Sequence, residues 1–188
     1  MIKVGITGSL ASGKSTVTRF IADHKYPVYS ADKEVAKLYK DKKFILEVMK
    51  LFKLNSKKKI KKKVKELIIF NKINLKKIEK LIHPIIRKRM ISFIKKNKQK
   101  KLLIFEIPLL IEGKMKKYFD ITIFVQSKKS IRLSRYLAKN KDKKLFNFLD
   151  NKQIKQKIKS KLCDHVVNNN KSLKLLKNKI KDIISAYA

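Results

Sequence analysis

The sequence predicts an α/β fold with a mostly parallel central sheet, and three observations carry that prediction. Residues 2–7 form a β-rich run that enters a glycine-containing turn and then a helical pattern. Apolar runs of strand length recur at 102–107 and 120–126, and both are continuous, not alternating. Helical patterns separate these runs. Continuous apolar runs suit parallel strands covered on both faces, and strands alternating with helices give an open parallel sheet.

The elements follow in order. After the first strand, residues 14–24 place Val17, Phe20 and Ile21 at helical spacing. Pro27-Val28-Tyr29 reads as a short second strand ending at Ser30-Ala31-Asp32, with a helix following to about residue 40. Residues 41–97 are lysine-rich, with helical periodicity in Phe44, Ile45, Val48, Met49 and Phe52, then Val64, Leu67 and Ile68, then Ile78, Leu81 and Ile82. Lys57 to Lys63 reads as a solvated loop or helix face. Pro84 predicts a helix boundary or kink. The segment 128–162 is helical and basic, and a short strand at 164–168 and a helix at 172–186 complete the pattern.

A chain of 188 residues suits one compact domain with room for a small inserted subdomain. Its 44% hydrophobic content supplies a core, yet no run reaches the roughly 18–20 apolar residues of a membrane helix. The opening MIKVGITG is strand-like and not a cleavable signal, so the cytoplasm is the expected compartment. The single cysteine, Cys163, excludes an intrachain disulfide and reads as a buried structural thiol.

The formal net charge of +37 raises the prior for polyanion binding. Only five of the 51 basic residues are arginine, however: Arg19, Arg87, Arg89, Arg132 and Arg135. Nucleic-acid surfaces draw on arginine for bidentate contacts. Lysines spread along the whole chain read as a composition bias, so no specific nucleic-acid partner is expected.

Gly8-Ser9-Leu10-Ala11-Ser12-Gly13-Lys14-Ser15 matches G-x-x-x-x-G-K-[ST] and is followed by Thr16. It sits after a predicted strand and at the start of a helix, where a phosphate-binding loop works. The glycines let the backbone curl so that successive N–H groups point inward, and the helix N-terminus adds partial positive charge. Lys14 can reach the β- and γ-phosphates, and the Ser15 hydroxyl can ligate Mg²⁺. A random chain of this length shows the pattern in well under roughly 1% of cases. Three of the four glycines fall in the first thirteen residues. There is no Asn-Lys-x-Asp motif for guanine, and no apolar run ends in the Asp of a typical hydrolase metal strand; Leu102–Ile104 leads into Phe105, Glu106 and, two residues on, Pro108. This favours a small-molecule kinase.

Asp32 lies just past the second strand, at the edge where open α/β sheets bind ligands. It can act on an acceptor hydroxyl or cap the following helix. Arg135 is the candidate lid arginine, with Lys139 one turn later. Taken alone, His83, His24 and His165 read as structural.

Together these residues resemble the dephospho-coenzyme A kinases over nearly the whole chain. Gly5-Ile6-Thr7-Gly8 through Ser15-Thr16 is similar to the family's opening motif. Ser30-Ala31-Asp32 stands where the family has Asp-Ala-Asp, and Leu81-Ile82-His83-Pro84 is similar to its Leu-Ile-His-Pro. Ile107-Pro108-Leu109-Leu110-Ile111-Glu112 is similar to its Val-Pro-Leu-Leu-Phe-Glu. The resemblance implies a three-layer P-loop sandwich with a helical substrate-binding region near 33–95 and a lid near 128–162. It implies ATP and Mg²⁺ as cofactors and the ribose 3′-hydroxyl of dephospho-coenzyme A as acceptor, in a monomer with no membrane partner. Catalytic roles fall on Lys14, Asp32 and Arg135. Nucleotide contacts fall on Gly8, Ala11, Ser12, Gly13, Lys14, Ser15, Thr16, Lys139, Asn168 and Asn169, and metal ligation on Ser15. Substrate contacts fall on Thr7, Asp32, His83 and Glu106. Arg135, Lys139, Gln153 and Lys161 match lid positions. The chain departs from the family at Ser30 (for Asp), Glu106 (for Asp), Ala36 (for Arg or His) and at Lys139 and Lys161 (for Arg). Two alternatives stay open at this point: another small nucleotide or metabolite kinase, and a lysine-rich nucleic-acid-binding protein with a nucleotide switch.

Overall fold

Strands β1 (Ile2–Gly8), β2 (Val28–Ser30), β3 (Leu102–Glu106), β4 (Ile121–Gln126) and β5 (His165–Asn168) form one sheet in the order β2-β3-β1-β4-β5, with every pairing parallel. The structure is a computed structural model that describes residues 1–139 and 142–187. The chain divides into two compact units, one of residues 1–30 and 94–188 and one of residues 31–93.

In the first unit, alternation along the strands separates two faces. Val4, Ile6, Leu102, Ile104, Ile121, Ile123, Val125 and Val167 point to one face. There they bury Val17 and Ile21 of α1 (Lys14–Ala22) and Leu176, Ile180 and Ile183 of α9 (Leu173–Ser185). The opposite face is tighter: a Cβ on Gly5 would stand 2.7 Å from Leu110 and 2.8 Å from Phe119. Only glycine lets those side chains lie against the β1 backbone. Phe105 stacks at a tilt on Phe119 and Tyr29 there.

Helices α6 (Lys129–Leu137), α7 (Lys143–Lys152) and α8 (Gln156–Leu162) fill the connection from β4 to β5. Asp142 caps α7 by accepting from the Leu145 amide at 2.8 Å. The sequence expectation of a lid over 128–162 includes residues 140 and 141, which lie outside the described residues. Cys163 is buried just before β5, and burial pushes its thiol pKa up. Asp164 pins β5 to β4, accepting from the Thr122 amide at 2.7 Å and the Thr122 hydroxyl at 2.6 Å. Burial alone would raise this carboxyl. The Thr122 hydrogen bonds and the Lys116 ammonium at 3.0 Å outweigh it and hold the pKa below the ordinary value.

The second unit is helical: α2 (Ala31–Leu38), α3 (Lys42–Phe52), α4 (Ile60–Phe70) and α5 (Lys72–Lys96), which runs on past the unit's end. The periodicity of the sequence is visible in its buried positions, Phe44, Val48, Val64 and Ile78 among them. Glu34 ties α2 to α5 by accepting from Arg89 at 3.1 Å. Of the boundary or kink predicted at Pro84, the boundary is absent: α5 continues from Lys72 to Lys96 with Pro84 inside it. A proline removes one intrahelical bond, to the carbonyl four residues back. That residue, Lys80, is exposed, so solvent can satisfy the freed carbonyl.

Candidate active site

Parallel pairing brings the carboxyl ends of the strands to one edge. Ile6 pairs with Glu106, Ser30 with Glu106, Gly8 with Val125 and Gln126 with Asn168. β1 and β4 are neighbours whose outgoing connections diverge, toward β2 through α1 and toward β5 through α6 to α8. Such a divergence opens the crevice where ligands sit in this class of sheet.

The loop from Gly8 to Ser15 fills that crevice. A Cβ on Gly8 would come 2.5 Å from the Val125 carbonyl oxygen, so the backbone can pass β4 only as glycine. Gly13 caps α1 in the left-handed region at φ 94°, and a Cβ there would collide with the Asn169 amide. Ala11 is also left-handed, at φ 59°. The first turn of α1 carries no acidic residue, so its partial positive charge faces the loop uncompensated by its own side chains.

Lys14 is only 9% exposed, and its ammonium donates to the Gly8 carbonyl at 3.2 Å and the Ser9 carbonyl at 3.1 Å. The charge is thus folded over the loop. The Ser15 hydroxyl donates to Glu106 Oε1 at 2.6 Å across the sheet edge. Ser12 is fully buried, and its hydroxyl has no hydrogen-bond partner among the described residues. Thr7 is fully buried, and its hydroxyl donates to the Pro108 carbonyl at 3.0 Å. Thr16 opens the helix behind Ser15, its amide donating to the Gly13 carbonyl at 3.1 Å.

Besides Glu106 at Ser15 and Gln153, which accepts from the Leu10 amide at 3.0 Å, two more of the sequence-predicted residues meet the loop from other elements. Asn169, buried just after β5, donates from Nδ2 to the Ser12 carbonyl at 2.8 Å. Arg135 of α6 donates to the Ser12 carbonyl at 3.3 Å and to the Asn169 carbonyl at 3.1 Å. Asn168 and Lys139 are exposed. Asp32 and His83 belong to the helical unit, Asp32 as the second residue of α2 and His83 midway along α5. His83 borders a surface hollow of about 350 Å³ with Pro84, Arg87, Lys88 and Ile91.

Sequence reasoning passed over Arg132 as a site residue. It is 3% exposed and chelates Asp150 through both guanidinium nitrogens, at 2.5 and 3.1 Å. The same guanidinium donates to the Leu10 carbonyl at 3.2 Å. A usable signal was the scarcity of arginine: of five in a chain so rich in lysine, Arg89, Arg132 and Arg135 use the guanidinium in hydrogen bonds that a lysine could not copy. Buried Lys159 was also missed, since nothing in a basic helical segment separates it from its solvated neighbours. It pairs with Glu112 at 2.6 Å.

The comparisons with known proteins give the family. The family model described as Dephospho-CoA kinase matches residues 2–174. The Dephospho-CoA kinase of Rickettsia bellii is 31% identical over 192 residues, covering 98% of this chain and 97% of that protein. The Dephospho-CoA kinase of Fusobacterium nucleatum is 34% identical over 187 residues, covering 94% of each. Among solved structures, TT1252 from Thermus thermophilus superposes with a TM-score of 0.83 at 25% identity, covering 100% of this chain and 98% of that one. The chain belongs to the dephospho-CoA kinase family.

Proposed function

We propose that this chain transfers the γ-phosphoryl group of ATP to the ribose 3′-hydroxyl of dephospho-coenzyme A, giving coenzyme A and ADP. As a member of its family it is an ATP-dependent phosphotransferase of coenzyme A biosynthesis. The observation that carries the reading is the loop at the sheet edge, with Lys14 folded over it and Ser15 bonded to Glu106. Family membership does not favour the nucleic-acid alternative.

In this reading the backbone of Ala11 to Thr16 receives the nucleotide phosphates, with Gly8 and Gly13 giving it its approach. Lys14 leaves its two carbonyl partners for the β- and γ-phosphates. Arg135 sits beside the loop and neutralises charge that develops on the transferring group. Removal of one such donor typically costs about 10²–10³-fold in rate. Asn168 and Asn169 flank the adenine, and Lys139 lies along the nucleotide. Asp32 orients the acceptor hydroxyl and takes its proton as the new O–P bond forms and the bond to the β-phosphate oxygen breaks. Thr7 and Glu106 border the acceptor, and His83 binds its distal part. The helices of 33–95 form the substrate-binding region and 128–162 the lid, which excludes water so that ATP is not merely hydrolysed. A cytoplasmic monomer completes the reading.

The residues present fit a hard divalent cation. The Ser15 hydroxyl and Glu106 carboxylate are oxygen donors already within 2.6 Å of each other, and Mg²⁺ prefers one or two such protein ligands plus phosphate. When bound, Mg²⁺ offsets the negative charge of the β- and γ-phosphates.

The test is ADP release from ATP and Mg²⁺, with and without dephospho-coenzyme A, following coenzyme A by mass. Acceptor-dependent ADP with equal coenzyme A is expected. ADP released equally without acceptor would overturn the acceptor assignment, and no turnover would overturn the kinase reading for this chain.

A further inference from the structure

The backbone of Leu10, in the middle of the phosphate loop, is held at both its polar groups by the β4–β5 connection. Its N–H donates to Gln153 Oε1 at 3.0 Å, and its carbonyl accepts from Arg132 at 3.2 Å. Arg132 is built into place. Its Nε donates to the Ser127 carbonyl at 3.2 Å, its two terminal nitrogens chelate Asp150, and its guanidinium carbon lies 5.6 Å from the centroid of the Phe146 ring. Asp150 and Gln153 stand at the end of α7, where the Gln153 amide donates to the Asp150 carbonyl at 3.2 Å. One residue on, the Ile154 amide donates to Glu112, which pairs with buried Lys159. The end of α7 is thus anchored from behind while it grips the loop in front.

Arg132 and Arg135 sit one helical turn apart and donate to two nearby loop carbonyls, Leu10 and Ser12. Carbonyls turned toward guanidinium groups are turned away from a phosphate, and the loop adds its own restraint, the Ser12 amide donating to the Ser9 carbonyl at 3.1 Å. The two arginines differ in what is left over. Four of the five N–H donors of the Arg132 fork have a carbonyl or carboxylate partner among the described residues, in a nearly sealed setting, so the fork is almost wholly used within the protein.

We infer that Arg132, oriented by Asp150, is a positioning residue of the phosphate loop. With Gln153 it sets the conformation of Leu10 and registers the α6–α8 segment on the loop, and it does not touch nucleotide. The inference rests on the reading of this loop as the nucleotide site, but the arrangement itself is tested without nucleotide.

The experiment is amide hydrogen exchange over residues 8–13 and 173–185 in nucleotide-free wild type, Arg132→Gln and Asp150→Asn, with ADP and ATP affinities measured alongside. A hydrogen bond from a charged donor gives an expected rise of about tenfold or more in loop exchange in both variants, with α9 unchanged. Asp150→Asn carries no lost cation, yet it is expected to match Arg132→Gln, and the double variant to be no worse than either. ADP and ATP affinities should fall by the same factor, because a distorted loop does not discriminate the γ-phosphate. Where Arg132→Gln unfolds the protein, Arg132→Lys keeps the charge without the fork and is expected to show the same loop exchange. Unchanged loop exchange in folded variants would overturn the inference, as would a rise shared equally by α9. A normal Asp150→Asn beside an Arg132→Gln that loses ATP affinity more than ADP affinity would make Arg132 a phosphate ligand instead. Wild type that binds no nucleotide would defeat the functional reading alone, with the exchange result still deciding this one.

Discussion

The Ser15 hydroxyl and the Glu106 carboxylate meet at 2.6 Å across the edge where β1 and β3 end. Strand pairing places them there, since Ile6 is in register with Glu106 and the loop returns Ser15 over the same edge. Glu106→Gln keeps the hydrogen bond but removes the charge. It is expected to lower kcat by about 10²-fold and to raise the Mg²⁺ concentration needed for half-maximal rate. Glu106→Asp, the residue usual at this place in the family, is expected to stay within about threefold of wild type. A Mg²⁺ titration of turnover checks both. Wild-type Mg²⁺ dependence in Glu106→Gln would remove this carboxylate from the metal site.

Lys14 and Asp32 are expected to fail differently. Lys14→Ala removes the cation over the loop and should cut turnover by about 10³-fold with little change in unfolding temperature. Asp32→Asn should abolish transfer while ADP and ATP bind nearly as in wild type. Calorimetric nucleotide binding beside steady-state kinetics separates the two. Normal kinetics in Lys14→Ala would overturn the loop assignment, and normal turnover in Asp32→Asn would release Asp32 from its role.

The phosphate loop was legible because its chemistry is local: the glycines, the lysine and the hydroxyl must lie within eight residues. The strands were legible because burial on both faces forces continuous apolar runs. What brings Arg132, Asp150 and Gln153 to Leu10 is not local. The separations of 122 and 143 residues between Leu10 and its partners leave no trace in spacing. Of the two readings at Pro84, the boundary failed for a related reason. A proline forbids one hydrogen bond, and whether the helix survives depends on whether water reaches the freed carbonyl, which is a property of the folded surface.

Gly13 tests how tightly the loop is shaped. Gly13→Ala imposes a Cβ at φ 94° and drives it into the Asn169 amide. The backbone alone is expected to cost about 1–3 kcal/mol, and displacing Asn169 removes its bond to the Ser12 carbonyl. Urea unfolding should show the loss of stability, and ADP affinity should fall at least tenfold, on the order expected for a loop that cannot close on phosphate. Unaltered affinity would mean that the loop tolerates a side chain at its cap.

Asp164 gives a pH dependence whose sign follows from its environment. A carboxyl whose pKa is lowered by folding stabilises the native state while ionised. The contribution is complete above its ordinary value of 3.8 and disappears as pH falls through the lowered native value. The difference in urea midpoint between wild type and Asp164→Asn should therefore be widest at neutral pH and narrow below about pH 4. A gap that stayed constant down to pH 2 would assign the effect to hydrogen bonding alone, not to charge.

Lys159 and Glu112 separate an ion pair's cost from its purpose. Lys159 is 0% exposed, and its ammonium sits 2.6 Å from Glu112, with the Pro108 carbonyl at 3.4 Å. Removing one partner leaves an uncompensated charge in a nearly closed site, so Lys159→Met is expected to destabilise by about 3–5 kcal/mol. Replacing both, as Lys159→Met with Glu112→Leu, removes the penalty and should recover most of that stability. Activity is expected to part company with stability in the double variant. Glu112 also receives the Ile154 amide, next to the glutamine that holds Leu10, so its loss frees the end of α7. Urea midpoints and turnover measured on all three variants decide the matter. A double variant restored in both would make the pair dispensable, whereas stability restored without turnover would show that the buried charges hold the β4–β5 connection in register with the loop.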